Sequence, residues 1–460
     1  MVIQILFLVV FFALMISVGF YYRKKAANVE GFVLGSRGAG PWLTAFAFGT
    51  SYFSAVIFVG YAGQFGWNFG IASTWIGLGN ALIGSLLPWV ILGRRTRIMT
   101  NHLGSKTMPE FFATRYDSKA LKLISAVIVF VFLIPYTASL YNGLSRLFSM
   151  AFPGVNYTVC IIIMSLLTCA YVLLGGYMAT AMNDFIQGVF MLGGIVVVIA
   201  AVLNQHGGLN GSIKALAEDV TNAGWEYTSF FGPDAVFLTF VVILTSLGTW
   251  GLPQMVGKFY AIKDEDSIKK GTVISTIFAV IVAGGCYFLG GFSRLFATVD
   301  AATGKPVIDG NVVSYDRLVP AMLENLGPVI IGIVLVLVLS ASMSTLSSLV
   351  LTSGSTVTLD LIAPLRKKQM TEKGKMLLMR LLIVGFVIIS AVIAIYQVNA
   401  QSGSSVTFIA NLMGVSWGAL AGAFIGPFLW GLYYKKTTRA AVYFSFVVGV
   451  SMSLVQLIKS

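Results

Sequence analysis

The sequence predicts an all-α integral membrane protein of about twelve transmembrane helices, two inverted five-helix repeats flanked by one extra helix at each end. Three observations lead there. Only 10% of the residues are charged and 57% are hydrophobic, against about 25% charged in soluble domains. Apolar stretches long enough to cross a bilayer recur along the chain, at roughly 3–22, 42–63, 71–93, 121–151, 156–176, 184–204, 236–256, 271–297, 328–361, 377–397, 405–433 and 439–458. These lengths suit helices rather than the short alternating strands of a barrel. Finally, the spans 42–63 and 236–256 carry glycine-rich breaks and lie five spans apart. An odd number of spans per group inverts the second group relative to the first, and paired interrupted helices mark the central site of a transporter. The expected organisation is an extra helix over 1–22, repeats over 41–204 and 236–433, and an extra helix over 439–458.

The net charge of +13 could suggest nucleic acid, but its distribution excludes that partner and points to the lipid bilayer. On alternate loops lie 24 of the 30 basic residues, in the groups Arg23–Arg37, Arg94–Lys122, Lys258–Lys270, Arg366–Arg380 and Lys435–Arg439. The opposite face holds Arg146, Lys214, Arg294, Lys305, Arg317 and Lys459. The positive-inside rule then places the basic loops in the cytoplasm and both termini outside a plasma membrane.

Residues 1–22 lack the basic leader of a signal peptide, and Arg23-Lys-Lys25 follows the apolar run, so a first span entering from outside is expected. The second span begins at Pro41 after a Gly-rich turn, Gly31–Gly40, and Gly49, Thr50, Ser51 and Ser54 weaken it at mid-depth. Carbonyls freed there need partners, and irregular backbone is tolerated in a membrane only beside protein or a cavity. Gly248, Gly251 and Pro253 break the seventh span likewise. Residues 205–235 and 298–327 read as external lids, and Lys258–Lys270 and Arg366–Lys375 as cytoplasmic charge runs facing anionic lipid. Cys160, Cys169 and Cys286 lie within spans at no metal-ligand spacing and read as packing residues.

The ninth span changes character along its length. After the apolar run Val329–Leu339, Ala341, Ser344, Thr345, Ser348, Thr352 and Ser355 form one stripe at helical period. Hydroxyls facing lipid are costly, so the stripe should face other helices or a watery cavity. Neutral oxygens suit a small hard cation such as sodium.

Several stretches then carry a family resemblance over nearly the whole chain: Gly31-Phe-Val-Leu-Gly-Ser-Arg37, Phe53-Ser-Ala55 with Gly60 and Gly63, Thr107-Met-Pro-Glu-Phe-Phe112, Tyr171-Val-Leu-Leu-Gly-Gly-Tyr-Met-Ala179 with Asn183-Asp184, Ser342–Ser348, and Gly426-Pro427. In this order and spacing the chain resembles the sodium:solute symporter family. The resemblance implies a LeuT-type fold and sodium as coupling ion. It also implies a sodium site from the carbonyls of Thr50, Phe53 and Ala341 and the hydroxyls of Ser344 and Thr345. Asp184 would help sodium leave inward. The chain departs from the family at Tyr177, where Leu, Met or Phe is usual, and at Tyr52, where many relatives are acidic.

The solute is expected beside the breaks, near Tyr52, Val56, Ile57, Thr245, Thr249, Trp250 and Pro253. Sugar-transporting relatives are polar where this chain has Val56 and Ile57, which disfavours a hexose. The N–H groups of a broken helix suit a carboxylate, so the expected solute is an amino acid such as proline, pantothenate or another small organic acid. The spans show almost no ionisable residue away from their ends, which favours sodium over a proton relay. A passive channel would need a continuous polar pore, and an intramembrane enzyme a nucleophilic, paired-carboxylate or metal constellation that no span contains. A sensor on a transporter fold would need a signalling domain, for which only Lys459-Ser460 follows the last expected span.

Overall fold

Six of the described helices start where the sequence supplies a side-chain cap. The Thr107 hydroxyl accepts the Glu110 N–H (3.2 Å), and the Glu110 carboxylate reaches back to the Lys106 N–H (2.8 Å). Asn28, Ser118, Asn156, Asp234 and Asp264 open other helices in the same manner, each satisfying one amide that the first turn leaves unpaired. A computed structural model describes residues 2–152, 154–219, 222–400 and 408–459. The beginning of the expected span 405–433 therefore lies outside the described residues.

Eight described helices are long and apolar enough to cross a membrane, and a ninth forms if Ala235–Trp250 and Pro253–Ala261, bent by 48°, count as one broken span. The difference from twelve arises at the junctions. Tyr157–Asn204 runs for 48 residues, about 72 Å at helical rise, twice what a bilayer needs. Gly176 divides it with φ 55° and ψ −151°, a backbone conformation essentially reserved for glycine. A Cβ there would also sit 2.8 Å from the Phe32 carbonyl. The expected spans 156–176 and 184–204 are thus the two arms of one interrupted run. Similarly, Val56–His102 is one run, turning at Gly70, where φ is 59° and ψ −141°.

The Pro328–Thr356 helix is the axis of the bundle: Val334–Leu351 is buried without interruption. It packs chiefly on Tyr157–Asn204, and also on Lys119–Ala151, Val2–Tyr22, Glu372–Ala400 and Pro41–Tyr52. Another close crossing joins Ala62–Phe69 to Glu265–Gly290, where a Cβ on Gly66 would fall 1.9 Å from the Gly290 carbonyl oxygen. Small residues there let the backbones touch, the usual device between membrane helices.

The basic end is tied together by Arg37, whose guanidinium donates to the carbonyls of Tyr260 (3.1 Å) and Ser105 (2.9 Å). The opposite end carries the two expected lids. One contains the helix Gly208–Glu218. The other contains a three-stranded antiparallel sheet, Thr298–Val299, Pro306–Ile308 and Asn311–Val312 in that order, and then the turn Tyr315–Arg317.

Asp316 in that turn is fully buried, and neither carboxylate oxygen has a hydrogen-bond partner among the described residues. Burial pushes its carboxyl up to about 6, against the opposing pull of Arg146. An acid whose folded pKa is raised contributes stability at low pH that is lost as pH rises through the folded value. The window runs from about 4 to about 6. Asp316→Asn is expected to stabilise the protein at pH 7 by about 2–3 kcal/mol, from about 1.4 kcal/mol per unit. It should flatten the pH dependence of Tm across that window; a variant with unchanged slope would refute the assignment.

Candidate functional site: two broken helices and a hydroxyl-bearing helix

The helix Pro41–Tyr52 stops at mid-depth because Phe53 is extended, with φ −99° and ψ 129°. Ala55 turns the chain back into helix, its N–H donating to the Ser342 hydroxyl (3.1 Å). A wide π-turn, Val56–Tyr61, follows, and such turns cluster at functional sites. The break frees carbonyls, and the Pro328–Thr356 helix faces them with hydroxyls. Ser344 donates to the Thr50 carbonyl (2.9 Å) and has the Ala341 carbonyl at 3.1 Å. Thr345 Oγ1 lies 3.5 Å from the Thr50 and Phe53 carbonyls and 3.0 Å from that of Ala341. All five residues named from the sequence, Thr50, Phe53, Ala341, Ser344 and Thr345, are buried. Their five oxygens meet in one place. The Ser51 carbonyl, 3.4 Å from Thr345 Oγ1, joins them unforeseen.

Each hydroxyl proton points at a carbonyl it could equally leave. Rotating it away would present hydroxyl lone pairs beside carbonyl oxygens, a neutral cage of the kind hard cations accept. Chemically, the cluster can hold a monovalent cation across the joint between the two helices.

The second break is at Gly248–Leu252. Tyr52 donates to the Thr245 carbonyl (3.0 Å), and Thr245 to the Asn80 amide oxygen (3.0 Å). Thr249 donates to the Gly84 carbonyl (2.8 Å) and the Trp250 indole to the Ile83 carbonyl (2.9 Å). Val56 and Ile57 are buried on the π-turn. The structure thus gathers Tyr52, Thr245, Thr249 and Trp250 at one joint, with their polar atoms engaged by protein. Pro253 opens the next helix and lines a different space, a small cavity of about 50 Å³. That cavity runs from Lys106 and Thr107 at the basic end to Gln254, Lys258 and Ser348.

Residues absent from the sequence reading complete the joint. Trp417 stacks on Tyr52 at 5.9 Å between ring centroids and meets Tyr136 edge-on. Asn80 accepts from both Thr245 and Ser246. Gln254 is buried with neither amide atom hydrogen-bonded among the described residues. A polar side chain inside an apolar span was the available signal for Asn80 and Gln254.

Two expectations are corrected. Lys258 does not belong to a loop charge run: it lies in the helix Pro253–Ala261, 3% exposed, because the 48° bend turns that segment back into the bundle. Asp184, Lys258 and Asp360, at or just beyond the ends of the expected spans, are all buried. Asp184 does not open a helix either. It lies about two turns beyond the Gly176 break, 3.5 Å from the Lys258 ammonium.

Two helices broken at mid-depth around an oxygen cage, closed by a third helix carrying hydroxyls, define a secondary transporter of the LeuT-type fold. A Na+-coupled sialic acid symporter in a substrate-bound outward-open state has that fold at TM-score 0.78, 17% identity, over 99% of this chain and 96% of its own. A manganese transporter of Eremococcus coleocola superposes more loosely, at TM-score 0.54 and 13% identity over 94% and 87%. Residues 32–449 match the sodium:solute symporter family, and the chain belongs to that family. It is 27% identical over 449 residues to the osmoregulated proline transporter of Bacillus subtilis, covering 97% of this chain and 87% of that protein. It is 29% identical over 455 residues to a sodium/proline symporter of Staphylococcus aureus, covering 97% and 84%. The protein is a multi-pass sodium-coupled symporter of a small solute.

Proposed function

We propose that the protein carries L-proline, or a closely similar small amino acid, into the cell with sodium bound by Thr50, Phe53, Ala341, Ser344 and Thr345. The observation that carries the sodium assignment is the meeting of the Ser344 and Thr345 hydroxyls with three carbonyls across a helix break. For the solute, the curated relatives named as proline transporters support it. So does the joint itself: Val56, Ile57, Tyr52, Trp250 and Trp417 present apolar and aromatic surface that fits a compact ring and lacks the polar lining a sugar would need.

The reading extends to the membrane. The end rich in lysine and arginine is cytoplasmic, both termini lie outside, and the repeats span 41–204 and 236–433 between the helices 1–22 and 439–458. Sodium pins the first broken helix to the hydroxyl helix and so raises solute affinity; the solute raises sodium affinity by the same factor. Where internal sodium is low the cage empties, and Asp184, beyond the cage toward the basic end, takes part in its exit.

Purified protein in proteoliposomes, given radiolabelled L-proline under an inward sodium gradient and separately under a potassium gradient, tests this reading. Sodium-dependent accumulation is expected. Accumulation of pantothenate or another organic acid in place of proline would move the solute class and keep the sodium site. Equal uptake under potassium would overturn the sodium site.

A further inference from the structure

The polar stripe does not end at the cage. One turn toward the basic end, the Ser348 hydroxyl bonds that of Ser51 (2.9 Å), the residue after Thr50. Ser348 also accepts from the Lys258 ammonium at 2.9 Å, and that ammonium pairs with Asp184 Oδ2 at 3.5 Å. Tyr177 turns its ring face to the same ammonium, 5.6 Å from Nζ to the centroid, an aromatic face that a cation favours. All five residues are buried. Without the lysine this would be a carboxylate, the Ser348 hydroxyl backed by that of Ser51, and a π-face around one point, a stronger cation site than the neutral cage above it. The Lys258 Nζ stands at that point.

We propose that Lys258 is a tethered cation permanently filling this lower oxygen cluster, so that the protein exchanges a single sodium ion, at the upper cage, per transport cycle. The inference rests on the upper-cage reading given above. A buried carboxylate left without its partner is strongly destabilising, and the lysine supplies the positive charge without an ion that must dissociate. The cavity from the basic end reaches both Lys258 and Ser348, so an ion leaving the cage by that route passes a site already occupied. A free cation has no vacancy there in which to lodge, and release becomes a single event.

Removing the lysine should open the vacancy. Equilibrium binding of ²²Na⁺ to the purified protein is expected to give about one ion per wild-type chain and about two in Lys258→Met, the second lost again when Asp184→Asn is added. Lys258→Arg should bind as the wild type does. Because occupancy stabilises by mass action, the Tm of Lys258→Met should rise with sodium about twice as steeply per tenfold concentration as that of the wild type. Two ions in the wild type, or one in Lys258→Met, would overturn the proposal. Should Lys258→Met not be recovered from purification in potassium, recovery in sodium, for it or for Lys258→Gln, supports the proposal. Failure of both variants in both salts counts against it, since an ion able to fill the vacancy would have rescued them. Ser344→Ala with Thr345→Ala separates the two readings: wild-type binding that survives this change refutes the upper cage, whatever Lys258 does.

Discussion

Ser344→Ala combined with Thr345→Ala is expected to abolish sodium-dependent solute uptake and the sodium-dependent rise in Tm, the largest functional effect any pair of substitutions in the spans should produce. In the proposed site each hydroxyl is both a ligand for the ion and, without it, the donor that satisfies a freed carbonyl. Ser344 satisfies Thr50 at 2.9 Å, and Thr345 reaches Ala341 at 3.0 Å. Losing a hydrogen bond to a charged group costs about 1.5–3 kcal/mol. Two lost ligands therefore raise the half-saturating sodium concentration by about a hundredfold or more, at about 1.4 kcal/mol per tenfold. The Thr50 carbonyl is also left buried without this donor, so the sodium-free protein should lose about 1–3 kcal/mol as well. Ser347→Ala is the control. Its hydroxyl bonds the Ser344 carbonyl within the same helix, 2.9 Å away, so half-saturating sodium should move far less than in the double variant. A double variant that keeps a normal sodium dependence would remove the cage from the mechanism.

The cage was legible in the sequence because its chemistry follows helical period. A serine at 344 and a threonine at 345, after an apolar run, must face something other than lipid, and the glycine-weakened segment Gly49–Ser54 leaves carbonyls needing partners. The hydroxyls and the freed carbonyls lie 2.9–3.5 Å apart. The stripe was also right below the cage: Ser348, Thr352 and Ser355 line the cavity opening at the basic end. Lys258 was not legible by the same means. It stands only a few residues before Lys263 and the acidic turn Asp264-Glu-Asp266, and a count of basic residues per loop absorbs it. What places it inside is the bend after Trp250, a tertiary fact. A local signal did exist, since Gln254 and Lys258 are four residues apart on one helix face among Met255, Val256, Phe259 and Tyr260, all buried. Gly70 and Gly176 divide two continuous runs at positive φ, where the expected spans 42–63 and 71–93, and 156–176 and 184–204, adjoin.

A second ionic lock closes the basic end, and breaking it should have the largest effect on stability. Asp360, in the wide turn Val357–Ile362 that ends the hydroxyl helix, is fully buried. It accepts from Thr107 at 2.5 Å and pairs with Lys122 at 3.2 Å. Three separate segments meet at this carboxylate. Lys122→Met leaves it buried and uncompensated, which costs about 3–5 kcal/mol. Lys122→Met with Asp360→Leu, by contrast, removes both charges, and replacing a buried pair by apolar groups is often close to neutral. The double variant is therefore expected to regain most of the Tm that the single one loses. If the single variant is as stable as the wild type, Asp360 is not held charged by Lys122. If both are equally unstable, the deficit comes from packing rather than from an orphaned charge. Thr107 also lines the cavity that reaches Ser348 and Lys258, so the lock borders that cavity. Separating the Thr107 segment from the end of the hydroxyl helix would break the Thr107–Asp360 hydrogen bond.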